Sequence, residues 1–219
     1  MTPTVPTIEA ATSMDVPAIA EVFARAFGEY RLALGCDTST LARLWTPLIA
    51  ARLSNWHVAR VPRSGCSEAQ PIAGILALEA HGEVHESAGH GLRTLAVWRR
   101  ELGTKGLLRA CYALFPLAIA YVRRPPRSDE LYVANLAVDP EYQNRGIGRQ
   151  LLATAVQRAR ERRYRQLSLH VAASNAPALH LYESAGFARE VTIRPPYRGP
   201  LGIPAFIAMR SGQLSATSF

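Results

Sequence analysis

Lysine is nearly missing from this chain: Lys105 is the only one among 25 basic residues, and arginine supplies the rest. A Walker A loop, which needs Gly-Lys followed by Ser or Thr, is thereby excluded. Cysteine is scarce as well. Cys36, Cys66 and Cys111 are odd in number, far apart and without metal-ligand spacing, so they read as buried or idle thiols in a reducing compartment. There is no internal repeat and no low-complexity tract. The first twelve residues lack the basic and apolar regions of a signal peptide. The longest apolar run, 106–122, contains Arg109 and Pro116 and falls short of the roughly 20 residues that a bilayer span needs. These absences leave a soluble, cytoplasmic globular protein as the expectation. With 219 residues, 48% hydrophobic and 19% charged, the chain is long enough for one domain, 1–219, with a sizeable core.

The formal net charge is +8. An arginine-rich surface for nucleic acid is one reading; a compositional bias serving a phosphate-rich ligand is the other. No groove-reading motif is present, which favours the second.

Hydrophobic periodicity divides the chain into alternating elements. Thr7 to Ala11 reads as a first strand. Asp15 stands where a helix cap belongs, with Pro17 in the first turn, and Ile19, Val22, Phe23, Ala26, Phe27 and Tyr30 form one apolar stripe. A second helix is expected over Ser39 to Leu53. Trp56 to Val61 and Pro71 to Ala80 read as a hairpin around the turn Arg63 to Ser67. Between about 82 and 129 lies extra material with helices near Leu92 to Leu102 and Leu107 to Ala120. Gln166 to Ala172 alternates, with Leu167, Leu169 and Val171 facing one way and Ser168, His170 and Ala172 the other. Ser174 or Asn175 caps a helix that Gly186 ends, and Phe187 to Ile193 and Ile203 to Met209 close the chain as strands around the loop Arg194 to Pro200.

The stretch from Glu130 to Arg163 is the most informative. Leu131 to Val138 is a short apolar strand, and Asp139-Pro140 ends it. Gln143-Asn144-Arg145-Gly146-Ile147-Gly148 follows as a Q-x-R-G-x-G loop, and a helix opens directly behind it. Such a helix leaves its first N–H groups unpaired, glycines let an anion approach the backbone, and Arg145 and Arg149 add charged donors. By itself the loop is an anion-binding turn with several candidate ligands.

This segment, together with Ser174-Asn175-Ala176-Pro177-Ala178-Leu179-His180-Leu181-Tyr182-Glu183-Ser184-Ala185-Gly186-Phe187, resembles the two signature motifs of the GNAT superfamily of N-acetyltransferases, closely from about Leu131 to Phe187 and in outline elsewhere. The resemblance implies a mixed α+β GNAT fold: a mostly antiparallel twisted sheet of six to seven strands, helices on both faces, and a central parallel pair splayed into a cofactor cleft. It implies transfer of the acetyl group of acetyl-coenzyme A to a primary amine by direct attack. The pyrophosphate would lie on Gln143, Asn144, Arg145, Gly146, Ile147, Gly148 and Arg149. The pantetheine arm would lie along Leu136, Ala137 and Val138, beside a bulge near Asn135 that turns an N–H toward the thioester oxygen. Asn175 would touch the cofactor, or serve as a plain helix cap, or both. Tyr182 would serve the coenzyme A sulfur as acid; the alternative is a core aromatic on the stripe Ala178, Leu181, Tyr182, Ala185.

The base is open. His170 stands in L-H-V-A-A-S-N, where some relatives carry glutamate, and can take a proton near neutrality. Other members carry a carboxylate on the central strand, where this chain has Tyr132; Glu79 and Glu130 are neighbouring candidates. His81, His85, Glu83, Glu86 and His90 are of types that suit zinc, yet their spacing matches no compact site, and solvated loop residues are expected instead. The insertion has two open roles, a lid over the acceptor side or an apolar face for a second copy of the chain. A sensor that binds an acyl-coenzyme A without turnover and an arginine-rich nucleic-acid binder are the competing functions; the acceptor amine is not written in these motifs.

Overall fold

In the computed structural model, residues 6–62, 70–81, 88–194 and 205–214 are described, with the side chains of 88–93 and 116–120 set aside. Seven strands form one sheet: β1 (Thr7–Ala10), β2 (Trp56–Arg60), β3 (Ile72–Glu79), β4 (Glu130–Val138), β5 (Gln166–Ala172), β6 (Phe187–Ile193) and β7 (Phe206–Ser211). Their order is β1-β2-β3-β4-β5-β7-β6, and every neighbouring pair is antiparallel except β4 with β5. The hairpin turn 63–67, with Cys66, and the loop residues 195–200 fall outside the described residues.

The helices are α1 (Val16–Ala26), α2 (Gly28–Leu34), α3 (Thr38–Ala51), α4 (Ala88–Arg123), α5 (Ile147–Glu161) and α6 (Ala176–Ser184). One face of the sheet packs on α5 and α6 through Leu76, Leu131, Val133, Leu151, Leu152, Leu169 and Val171. The other packs on α1 and α3 through Val58, Ile75, Ile19, Val22 and Phe23. A strand buried on both faces reads as continuous apolar sequence, and β3 (IAGILALE) is buried at every residue but its last. Gly74 lets α5 approach: a Cβ there would stand 3.0 Å from Leu151 Cδ1 and 3.1 Å from Ile147 Cγ2. The first turn of α5 is thereby seated directly on the sheet.

The structure amends the sequence expectations in four places. Asp15 does sit at the start of α1, but its carboxylate turns back to accept from the Thr12 N–H and hydroxyl and from Arg60 Nη2. The apolar stripe that runs to Tyr30 is two helices, because Phe27 leaves helical geometry at φ −101°, ψ 61°. The last strand is described over Phe206–Ser211, two residues beyond the expected Met209, and Ile203 lies outside the described residues. Glu130 is no candidate base: it is fully buried and held by Arg124 and Arg210 at 3.2 and 2.8 Å, closing the sheet under β7.

The insertion is α4, interrupted at Gly103, whose φ of 66° and ψ of 179° divide it into the two expected helices. Its inner face, Trp98, Ala110 and Ala113, is buried against Leu34, Leu41 and Leu44 of α2 and α3. Trp98 Nε1 donates to the Leu44 carbonyl at 3.0 Å. Leu95, Leu108 and Phe115 are exposed on its other side. Among the described residues no helix is long and apolar enough to cross a membrane.

Candidate active site

The parallel pair is short. Glu130–Tyr132 match Gln166–Ser168, and from there the two strands have no register in common although β4 runs to Val138 and β5 to Ala172. β5 stays in the sheet by pairing with β7 over the whole span from Ser168 to Ala172. The β4 edge that faces the gap therefore has no strand beside it, and an extended ligand can take that place.

A bulge sits where the gap opens. Ala77 pairs with Asn135 and Leu78 with Val133, so Ala134 is the extra residue. Its effect is visible in the packing. Leu131 and Val133 face the α5 layer before it, whereas Leu136 and Val138 face that layer after it, and Ala137 turns to the α1 layer. The one-residue insertion reverses the alternation and re-aims the backbone at the mouth of the cleft.

Below the end of β4 the glycine loop connects to α5. Asp139 accepts from Arg25 Nε and Nη2 at 2.9 and 2.6 Å and from the Glu141 N–H at 3.1 Å. This nearly buried carboxylate ties the loop to α1. Sequence reading took it for a strand terminator only; its partner lies 114 residues away and leaves no local signal. Gln143 Nε2 donates to the Val138 carbonyl, and Arg145 donates to the Glu141 carbonyl with its guanidinium 5.2 Å from the Tyr142 ring centre. Asn144 and Gly146 adopt left-handed backbone, at φ 61° and 79°. A Cβ on Gly146 would meet nothing within 4 Å, and one on Gly148 would stand 3.4 Å from Leu181 and 3.7 Å from Val138. Residues 143–146 and Arg149 are exposed, while Ile147 is buried as the anchor of the turn. An open, arginine-flanked concavity at a helix N-terminus fits a diphosphate.

The cleft leads into a cavity of about 590 Å³. Glu79, Leu136, His170, Asn175 and Tyr182 line it, so the structure brings together the residues proposed for acid, base and cofactor contact. Asn175 accepts from the Ala178 N–H at 3.1 Å, which is the cap role. Tyr182 is buried beside Phe187, and its phenol is pushed well above the ordinary tyrosine range by that burial. Glu79 is half-committed elsewhere, receiving Arg52 Nη1 at 2.6 Å. His81, which also figured among the zinc-suited side chains, sets its Nδ1 2.8 Å from the Pro126 carbonyl; 82–87 and the His90 side chain lie outside the described residues.

Tyr132 was not among the sequence candidates. Its hydroxyl lies 3.1 Å from His170 Nδ1, and its ring packs edge-on against both Tyr121 and His170. Burial, reinforced by the charge of Glu79, raises its pKa far above the ordinary phenol value, so it keeps its proton, and the His170 tautomer sets which of the two groups donates. Where Tyr132 donates, a neutral His170 carries its proton on Nε2. The signal was available: the parallel register places Tyr132 beside Ser168, and His170 is the next residue on that face.

A splayed parallel pair, a bulged strand, a glycine loop on a helix N-terminus and a buried tyrosine thus lie along one cleft. Residues 111–187 match the model of the acetyltransferase (GNAT) family. A [ribosomal protein bS18]-alanine N-acetyltransferase of Escherichia coli (strain K12) is 49% identical over 69 residues, 32% of this chain and 46% of that protein. A mycothiol acetyltransferase of Acidothermus cellulolyticus is 47% identical over 58 residues, 26% of this chain and 17% of that protein. The matched stretch thus spans about half the length of the first of these relatives. The crystal structure of the ribosomal-protein-S18-alanine N-acetyltransferase from Escherichia coli superposes with a TM-score of 0.56 at 22% identity, covering 97% of this chain and 96% of that one. The NatC complex bound to Gag peptide and CoA gives 0.54 at 13% identity, covering 95% and 98%. At these identities the likeness is one of fold.

Proposed function

We propose that this chain is a cytoplasmic N-acetyltransferase, one domain over 1–219 with its insertion at about 82–129, which acetylates a primary amine from acetyl-coenzyme A. One observation carries the reading: the edge of β4 beyond the Ala134 bulge is open to the cleft, with the glycine loop at one end and the Tyr132–His170 pair at the other. Acetyl-coenzyme A, when bound, supplies the thioester that the amine attacks. The loop 143–149 holds its diphosphate by backbone N–H groups, Arg145 and Arg149. Leu136, Ala137 and Val138 offer their backbone to the pantetheine arm, and the backbone at the bulge polarises the thioester carbonyl. Asn175 adds a polar contact at the cleft wall.

The chain's own side chains move the protons. His170 takes one from the incoming ammonium through Tyr132, whose hydroxyl accepts it while passing its own to Nδ1. The neutral amine can then attack. Tyr182 remains a phenol throughout the working range and donates a hydrogen bond to the departing thiolate, and the second proton released by nitrogen returns to sulfur. Glu79 sits beside Tyr132 in register and biases the cavity toward a cation. Among the described residues neither Cys36 nor Cys111 lines the cavity, in keeping with direct attack of the amine on the thioester. Calorimetric titration with acetyl-coenzyme A, followed by coenzyme A release across a panel of amines, tests the reading. Binding with no release for any amine would mark a sensor instead.

A further inference from the structure

Five rings, from α1, α2, α3, α4 and the α1–α2 junction, pack together in the wall of the cavity. Phe23 stacks on Trp45 at 4.8 Å and lies 4.5 Å from Phe27; Tyr30 packs on Phe23 and Trp45 at 5.8 and 5.4 Å; Trp98 of the insertion lies 5.3 Å from Trp45. All five line the cavity, and Tyr121 brings a sixth ring to its polar end, 5.7 Å from Tyr132. The polar groups that the reaction needs, Glu79, Tyr132 and His170, gather at that end. With Glu29, Asn135 and Asn175 also in its lining, the cavity joins a run of mutually packed rings to a small number of polar groups that can receive one amine.

We propose that the acceptor is a small primary amine carried on an aromatic body, which seats against the ring wall while its nitrogen reaches Tyr132 and His170. This rests on the acetyl-transfer reading and names the substrate class for the same site. A peptide N-terminus fits less well. Each residue of it would bring an N–H and a carbonyl against ring faces that offer few partners, and buried polar groups without partners are costly. An arylalkylamine carries one polar group and places it where the polar cluster is. Ring faces also attract the ammonium before it is deprotonated. The insertion supplies Trp98, Leu114, Tyr121 and Val122 to this cavity, so the added segment builds the acceptor wall.

The test uses the full chain in two arms. Tryptophan fluorescence is titrated with 2-phenylethylamine and with ethylamine, since Trp45 and Trp98 report directly on the cavity. Coenzyme A release is then measured with both amines and with a short peptide beginning in alanine. The expectation is saturable fluorescence change with 2-phenylethylamine, a kcat/KM about tenfold or more above that for ethylamine, and a poorer rate with the peptide. Leu114→Trp, which fills the ring side without touching the coenzyme cleft, should raise the KM for 2-phenylethylamine severalfold and leave acetyl-coenzyme A affinity unchanged; that affinity also confirms its folding. Equal kcat/KM for the two amines, or preference for the peptide, overturns the proposal while acetyl transfer stands. Fluorescence binding of 2-phenylethylamine without any acetyl-coenzyme A binding would uphold the ligand class and sink the transferase reading.

Discussion

Raising the pH from 9 to 11 should destabilise this protein steeply, and the chief cause would be three deeply buried phenols in one cavity, with a smaller share from Tyr121 beside them. Tyr30, Tyr132 and Tyr182 all line it, and burial pushes each pKa well above the ordinary value of about 10. In the unfolded chain these phenols release protons near pH 10; in the folded chain they keep them. Stability is therefore unaffected below that point and falls as pH rises past it. Each group costs about 1.4 kcal/mol by pH 11, so three cost about 4 kcal/mol against a total that is typically 5–15 kcal/mol. The near-absence of lysine makes the experiment clean, because lysine ion pairs, which fail in the same range, hardly exist here. Arginine stays charged throughout. The Cys36 thiol, also raised by burial, is removed as a contributor by Cys36→Ser. Urea unfolding at pH 9 and 11 measures the loss, and Tyr30→Phe should remove about a third of it. Phenolate absorbance should show the delayed tyrosines directly. A loss under about 1 kcal/mol, or ionisation of all eight tyrosines near pH 10 with the fold intact, would refute both the burial argument and the protonation states assigned to Tyr132 and Tyr182.

Tyr182→Phe should lower kcat about 100-fold and leave acetyl-coenzyme A affinity within a few-fold, as expected for a donor needed when sulfur departs; steady-state kinetics with calorimetry checks this, and an unchanged kcat would make Tyr182 a core residue. His170→Ala should remove the acidic inflection of the pH–rate profile, and Tyr132→Phe should shift that inflection while sparing acetyl-coenzyme A binding; an identical profile in both variants would dismiss the relay. Gly148→Ala should hold or raise thermal stability, by up to about 1 kcal/mol from helix propensity, and weaken acetyl-coenzyme A binding, because the added methyl stands between Val138 and Leu181 at the cleft mouth.

What could be read from the sequence follows the range of the interactions. β4, the glycine loop, α5, β5 and α6 are consecutive, and each is set by contacts within a few residues: the alternation of Gln166–Ala172, the Asn175 cap, the left-handed Gly146 and Gly186. The β4–β5 splay was foreseen only through family likeness, since the loss of pairing after Tyr132 and Ser168 is a property of two strands at once. The ring wall was hidden for a stronger reason. Phe23, Trp45 and Trp98 come from three helices whose faces periodicity can mark as apolar but cannot aim. Likewise the break at Phe27 accompanies the packing of its ring between Phe23 and Tyr30, which periodicity does not show.

α4 leaves the sheet after β3 and returns to it at β4, two strands that are antiparallel neighbours with Glu79 opposite Tyr132. The excursion starts and ends at nearly one point. A short turn could join the same two strands without shifting any register. The segment packs mainly on α2 and α3, and it reaches the half of the molecule encoded from β4 to α6 through Tyr121 on Tyr132. On the acetyl-transfer reading, an exchange of this one segment would rebuild the acceptor wall while the glycine loop and the open β4 edge stay as they are.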